Sequence, residues 1–170
     1  MKMRQEKVED YDEVYNVIKE AFATAEYSDG NEQDLVVSLR KNKNAFIPEL
    51  SLVAEDNGII KGHILFTKMT VGNDIVLALA PLAVKPEYQK QGIGKKLIKE
   101  GHRIATELGY TYSVVLGSEF YYPKSGYSSA EEFGIEIPQG IPSKNYMAIK
   151  LLQNAKAIHG KVTYAPEFGL

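Results

Sequence analysis

Gln89-Lys90-Gln91-Gly92-Ile93-Gly94, followed by Lys95-Lys96-Leu97-Ile98, is the stretch that decides how this chain folds. Upstream of it, Ile75 to Val84 reads Ile-Val-Leu-Ala-Leu-Ala-Pro-Leu-Ala-Val. That run is apolar on both faces, which predicts a central strand covered on both sides. Pro81 has no N–H for a ladder, so it predicts a bulge within that strand. Lys85-Pro86-Glu87-Tyr88 is a turn. Downstream, Ile93, Leu97, Ile98, Ile104, Ala105 and Leu108 share one helical face, and Gly109 stops the helix. Thr111 to Leu116 is a second buried strand. Strand, helix, strand over residues 75–116 predicts a parallel crossover unit.

Two glycines at the start of a helix suit an anion. The first N–H groups of a helix have no partner and carry the positive end of its dipole, and glycine lets a phosphate come close. A tight turn without a ligand would use the same residues. A Walker loop needs Gly, four residues, then Gly-Lys-Ser/Thr; position 89 is Gln and Lys96 follows Gly94-Lys95, so that motif is absent. A dinucleotide fingerprint needs a third glycine where Leu97 stands.

The remaining elements follow from local patterns. Residues 2–8 read as a short strand. Asp10 and Glu13 have capping-box spacing, and Tyr11, Val14, Tyr15, Ile18, Ala21 and Phe22 form a helical face behind them. A second short helix carries Leu35, Val36 and Leu39. Ser51–Glu55 and Ile59–Val71 read as strands joined at Asp56-Asn57-Gly58, a strong hairpin signal. Gly72-Asn73-Asp74 turns the chain into the central strand. Phe120–Ser125 reads as one short helix ended by Gly126, residues 128–144 as a loop with Pro138 and Pro142, Tyr146–Leu152 as a strand, and residues 160–164 as another.

Bulk properties narrow the classes. With 170 residues the chain suits one domain, 1–170, with a single core. Lys plus Arg number 20 against 22 Asp plus Glu, a net charge of −2, which argues against coating nucleic acid. Cysteine is absent, so disulfides, thiolate metal sites and a cysteine nucleophile are excluded. His63, His102 and His159 have no metal-ligand spacing. No stretch approaches the ~20 apolar residues of a membrane helix. The first residues lack the apolar run of a signal peptide, so a cytoplasmic location is the expectation.

The segment Leu79 to Ile98, with Gln-x-x-Gly-x-Gly at residues 89–94, resembles the GNAT acetyltransferase superfamily. A second matching segment runs from Val114-Val115-Leu116-Gly117 to Tyr122-Pro123-Lys124-Ser125-Gly126-Tyr127, similar to the family's strand and its Tyr-x-x-x-Gly-Phe/Tyr. The order of the other elements agrees over about residues 2–151. The tail, with Gly160-Lys161-Val162-Thr163-Tyr164 and Phe168, is similar to that of a bacterial subgroup. The resemblance implies a mixed, splayed α/β sheet with a central antiparallel hairpin region and about four flanking helices.

It also implies acetyl-CoA as acyl donor, no metal, and direct transfer to a primary amine of a small molecule or peptide. The backbone of Gln89, Lys90, Gln91, Gly92, Ile93, Gly94 and Lys95 would hold the pyrophosphate. Leu82, Ala83 and Val84 would line the pantetheine arm, with Gly117, just past the second buried strand, and Tyr122, in the short helix, also contacting the cofactor. The Leu82 amide would polarise the thioester oxygen, and Tyr122 would protonate the leaving thiolate; a phenol of pKa ~10 is protonated at neutral pH. Tyr121 is the neighbour that competes for that role. Glu119 and Glu55 are candidates for a base, and His63 is the only histidine on a strand that would face the site. Acidic loops at Thr24–Asn31 (Glu26, Tyr27, Asp29) and Tyr127–Lys144 (Glu131, Glu132, Glu136) would take the acceptor. The resemblance allows a homodimer, and a non-catalytic acyl-CoA-binding module is the alternative reading.

Overall fold

The computed structural model describes residues 1–25 and 28–170. The acceptor-loop expectation at Glu26 and Tyr27 lies outside the described residues. The strands are β1 (Lys2–Gln5), β2 (Phe46–Asp56), β3 (Ile59–Val71), β4 (Asp74–Val84), β5 (Tyr112–Leu116), β6 (Ser128–Ser129), β7 (Tyr146–Lys150) and β8 (Val162–Thr163). The α-helices are α1 (Tyr11–Phe22), α2 (Glu32–Arg40) and α3 (Ile93–Glu107). The strands hydrogen-bond in the order β1-β2-β3-β4-β5-β7-β6, with β8 on β3. β4 and β5 run parallel with α3 between them in sequence, which is the expected crossover unit.

The chain clusters into two compact units: Met1–Phe66 with Ala80–Gly101, and Thr67–Leu79 with His102–Leu170. In the first unit, β1 pairs antiparallel with β2, Lys2 opposite Glu55 and Gln5 opposite Leu52. β2 turns into β3 through Asn57 and Gly58, both at positive φ (51° and 80°), as a two-residue hairpin of this twist requires. β2 begins at Phe46, earlier than the expected Ser51, and so contains Pro48. The β1 ladder covers only Leu52 to Glu55, so no β1 carbonyl needs an N–H from Pro48. Helix α1 buries Val14, Val17 and Ile18, and α2 buries Val36 and Leu39.

The expected Asp10–Glu13 capping box does not form. Asp10 makes no side-chain cap on α1; its carboxylate accepts the Lys7 N–H at 2.7 Å and pairs with Arg4 at 2.7 Å. Glu13 accepts the Ile60 N–H at 2.8 Å and so ties α1 to the start of β3. Asp10 thus has a backbone and a guanidinium donor, and Glu13 a backbone donor from β3. Ionic partners of this kind are invisible to a spacing rule.

The second unit has its own core, which includes Met69, Val71, Val76, Ala78, Tyr112, Val114, Tyr146 and Ala148. Helix α3 ends in two bonds of a Schellman motif, Tyr110 N–H to Ala105 O and Gly109 N–H to Thr106 O, both 3.0 Å. Three sequence expectations change in this unit. Phe120–Ser125 is not one helix; a 3-10 turn spans only Tyr122–Ser125, so the α-helices number three among the described residues. Residues 128–144 are not all loop, because Ser128 and Ser129 pair with Ala148 and Met147 of β7. The strand beginning at Tyr146 stops at Lys150 rather than Leu152. In the tail, Val162 and Thr163 pair with Val71 and Thr70.

Candidate active site

Strand β4 changes character along its length. Val76 to Leu79 are all buried, as expected of a central strand covered on both faces. From Ala80 onward burial alternates: Pro81 and Ala83 are buried, while Ala80, Leu82 and Val84 are partly open. The expectation of double cover therefore holds for Val76–Leu79 only, since Ile75 before them is also exposed. The second half presents one accessible face carrying Leu82 and Val84. The strand runs unbroken through Pro81, whose peptide with Ala80 is cis. The parallel ladder to β5 joins Leu77 to Ser113 and Ala78 to Val114, while β4 continues to Val84.

The loop after β4 is anchored to β3 and to the strand it leaves. Lys85 N–H bonds to Lys61 O at 2.9 Å, and the Gln89 side-chain amide donates to Val84 O at 3.0 Å. The Gln89 N–H itself bonds to Pro86 O at 3.3 Å. Lys90 and Gly92 both sit at positive φ, 64° and 86°. Anion nests are built where left-handed residues alternate with right-handed ones, and here two left-handed residues flank Gln91. The first bond of α3 is Lys96 N–H to Gly92 O at 3.1 Å, so the N–H groups of Ile93, Gly94 and Lys95 stand ahead of the helical ladder. A Cβ on Gly92 would meet nothing within 4 Å, so the space above this turn is open. A pyrophosphate fits these residues: unpartnered donors, the positive end of a 15-residue helix, and flanking Lys90 and Lys95 that are exposed.

In the second unit, β5 ends at Leu116, which is half exposed, and Gly117 follows. Asn145 fixes this point from both sides. Its carbonyl accepts the Gly117 N–H at 2.9 Å, and its side-chain amide donates to Gly117 O at 3.1 Å. The same amide donates to Glu119 at 2.7 Å, so this candidate base has one carboxylate oxygen engaged. The Tyr122 ring lies against Gly117: a Cβ there would stand 2.9 Å from the ring's Cδ2 and closer still to Cε2. Tyr121 and Tyr127 pack edge-on to Tyr122, with ring centroids 5.1 and 5.9 Å away. Burial, with Tyr121 adding, pushes the Tyr122 phenol well above its ordinary range, so it holds its proton at neutral pH. Among the described residues its hydroxyl makes no hydrogen bond. The Tyr127 hydroxyl is bonded to His102 and Ser113, and that of Tyr146 to Tyr164.

Two other candidates are spoken for. Glu55 is held by Arg4 at 3.1 Å, which lowers its pKa, and it lies beside Lys2 in the β1–β2 ladder. His63 does not face an open site. It is fully buried, bonded to Ser51 at 3.0 Å, and burial pulls its pKa down to about 4. Sequence reasoning missed Asn145, Ser113 and the contact of His102 with Tyr127. Each acts across a long stretch of chain, and no local spacing marks it. Among the described residues no cluster of His, Cys, Asp or Glu is arranged to hold a metal ion, and no helix is long and apolar enough to cross a membrane.

Comparison with known proteins bears on these features. The sequence model of the Acetyltransferase (GNAT) family matches residues 11–127. The chain is 39% identical over 127 residues to the uncharacterized N-acetyltransferase YjhQ of Escherichia coli K12, covering 72% of this chain and 70% of that protein. Among solved structures, a GNAT family acetyltransferase from Brucella melitensis in complex with acetyl-CoA superposes with a TM-score of 0.82, at 30% identity, over 98% of this chain and 97% of that one. The GNAT family N-acetyltransferase YhbS from Escherichia coli in complex with CoA superposes with a TM-score of 0.87, at 26% identity, over 99% of this chain and 92% of that one.

Proposed function

Because the chain belongs to the GNAT acetyltransferase family, we propose that it transfers an acetyl group from acetyl-CoA directly to a primary amine. The observation that carries this reading is the turn at Lys90–Gly92: paired positive φ, open space above Gly92, and three helix-start N–H groups aimed ahead of α3. Acetyl-CoA fits it through its pyrophosphate, and when bound supplies the activated thioester. Gln91 to Lys95 would receive the phosphates. Gln89 would act one step back, since its side chain ties the loop to Val84.

The accessible face of Leu82 and Val84 would take the pantetheine arm, with Ala83 between them in the same strand. The Leu82 N–H would polarise the thioester oxygen as charge grows there; one such donor is typically worth ~2.7–4 kcal/mol. Tyr122, protonated and with its hydroxyl uncommitted, would give the leaving thiolate its proton. Glu55 is taken up by its ion pair with Arg4, which leaves Glu119 as the base proposed for an incoming amine. The acceptor is a small-molecule or peptide amine.

Residues 1–170 are read as one acyltransferase domain, since β3, β4 and α3 each begin in one compact unit and end in the other. A cytoplasmic location suits the metabolic source of acetyl-CoA, and a homodimer is compatible with the family.

Calorimetric titration with acetyl-CoA, free CoA and ATP tests the reading. Binding of acetyl-CoA and CoA but not ATP is expected, followed by acetylation in a screen of amines. Binding without turnover on any amine would favour an acyl-CoA-binding module. No binding to any of the three would remove the phosphate role of the turn.

A further inference from the structure

The reaction as proposed leaves His102 and Ser113 without a task, yet both are joined to the aromatic group around Tyr122. The Tyr127 hydroxyl lies 2.9 Å from His102 Nε2 and 2.8 Å from Ser113 Oγ. His102 comes from α3, Ser113 from β5, and Tyr127 from the residue after Gly126. Ser113 and Tyr127 are buried. We propose that His102, Tyr127 and Ser113 form a buried relay that positions the Tyr122 ring for proton donation. The inference rests on the reading of Tyr122 given above.

Geometry carries the argument. A phenol with two partners uses its hydroxyl once as donor and once as acceptor. The chain of bonds can run from imidazole N–H through phenol to serine, or the reverse. In both senses Tyr127 is pinned at its far end, so its ring cannot swing. Burial pulls the His102 pKa down to about 4, so the imidazole is neutral and able to serve in either sense. The pinned ring then meets Tyr122 edge-on at 79°, and the His102 ring lies against Tyr127 tilted at 48°, with centroids 5.4 Å apart. Tyr121 closes the other side of Tyr122 at 82°, and Gly117 leaves room for the ring against its Cα. Packing thus sets the plane of Tyr122 and leaves only its hydroxyl uncommitted. A catalytic side chain held by supports whose own rotamers are locked keeps its geometry to fractions of an ångström, and proton transfer is sensitive to that margin.

Tyr127→Phe keeps the ring and removes both hydrogen bonds. Ser113→Ala removes one of them. Each is compared with Tyr122→Phe and with the Tyr122→Phe/Tyr127→Phe double variant, using acetyl-CoA and the best amine found. The expected result is a fall in kcat of about tenfold for Tyr127→Phe, short of the ~10²–10⁴ that an acid–base group supplies. KM for acetyl-CoA should stay within about twofold, since the phosphate contacts are untouched. Ser113→Ala should fall less, in the same direction. In the Tyr122→Phe background, Tyr127→Phe should cost nothing further, because residues acting as a unit are not additive.

A second readout is independent of turnover. With 13C at the tyrosine Cζ atoms, Tyr122 should give one sharp resonance in the wild type and a broadened or doubled one in Tyr127→Phe. An unchanged Tyr122 resonance in a folded Tyr127→Phe protein, or an equal loss of kcat in both backgrounds, overturns the relay. Wild-type turnover in Tyr122→Phe sinks the acid role by itself, and the Tyr122 resonance then decides the relay alone. If Tyr127→Phe does not fold, Ser113→Ala carries both comparisons.

Discussion

The Tyr122 ring lies against the bare Cα of Gly117, with no room for a methyl group between them. Gly117 cannot give way, because Asn145 holds both its N–H and its carbonyl. The displacement in Gly117→Ala must therefore fall on the ring. Overpacking of this sort costs about 1–3 kcal/mol, a drop in Tm of roughly 2–12 °C for a chain of this size. Turnover should fall well beyond what the stability loss explains, while the Kd for acetyl-CoA stays near wild type. Unchanged turnover in Gly117→Ala would show that the position of Tyr122 is immaterial.

Gly92 lies at φ 86° with open space where a side chain would project. Asn and Asp are the non-glycine residues that tolerate left-handed backbone best. Gly92→Asn and Gly92→Asp therefore share one backbone strain and nearly one shape, and differ in charge. Both should fold. Gly92→Asp should bind acetyl-CoA at least about tenfold more weakly than Gly92→Asn, since a carboxylate would sit beside the phosphates. Equal calorimetric affinities for the two would remove phosphate from this turn.

The Gln89 amide ties the glycine loop to the last residue of β4 through Val84 O. A hydrogen bond of this kind is worth about 0.5–1.5 kcal/mol net. Gln89→Ala should weaken acetyl-CoA binding about two- to tenfold, because the nest is no longer fixed relative to the strand. Because the bond is exposed, its loss should sit at the low end of the hydrogen-bond range, a stability change of about 0.5 kcal/mol. Calorimetry and thermal melts of the same sample separate the two effects. Wild-type affinity in Gln89→Ala would make the tether decorative.

What the sequence reveals follows the range of the interaction. Asn57-Gly58 specifies its hairpin because both positive-φ positions are local. The crossover from β4 through α3 to β5 is legible because hydrophobic period and glycine placement change within a few residues. The start of β2 misleads, because the pairing that makes Phe46 rather than Ser51 its first residue is set by the fold. Asp10 and Glu13 mislead in the same way: their partners, Arg4 and Ile60, are set by the fold. For the site, the turn at residues 89–95 and Tyr122 lie within short motifs and are legible. Asn145, 28 positions from Gly117, and His102, 25 positions from Tyr127, carry no motif of their own. Polar support around a site is chosen by three-dimensional proximity, so it is the part a single sequence hides.

His63 gives the fold a pH dependence whose sign can be stated. An unfolded histidine titrates near ~6.5. Folded His63 titrates at about 4, first because burial disfavours the imidazolium, with Arg40 adding to the fall and Glu6 opposing it. Between those values the unfolded chain binds a proton that the folded chain refuses. Stability therefore rises with pH across that window and is lost as pH falls through it. The full loss near the lower end is on the order of 3 kcal/mol for one such group. His102, whose pKa burial also lowers to about 4, adds a loss of the same sign. His63→Gln keeps a polar partner for Ser51 and removes the titration. Thermal melts of wild type and His63→Gln between about pH 7 and about pH 4.5 should converge as the pH falls, because the wild type surrenders more. The residual slope in His63→Gln belongs to His102 and the carboxylates. Parallel curves for the two proteins would mean that His63 does not resist protonation in the fold.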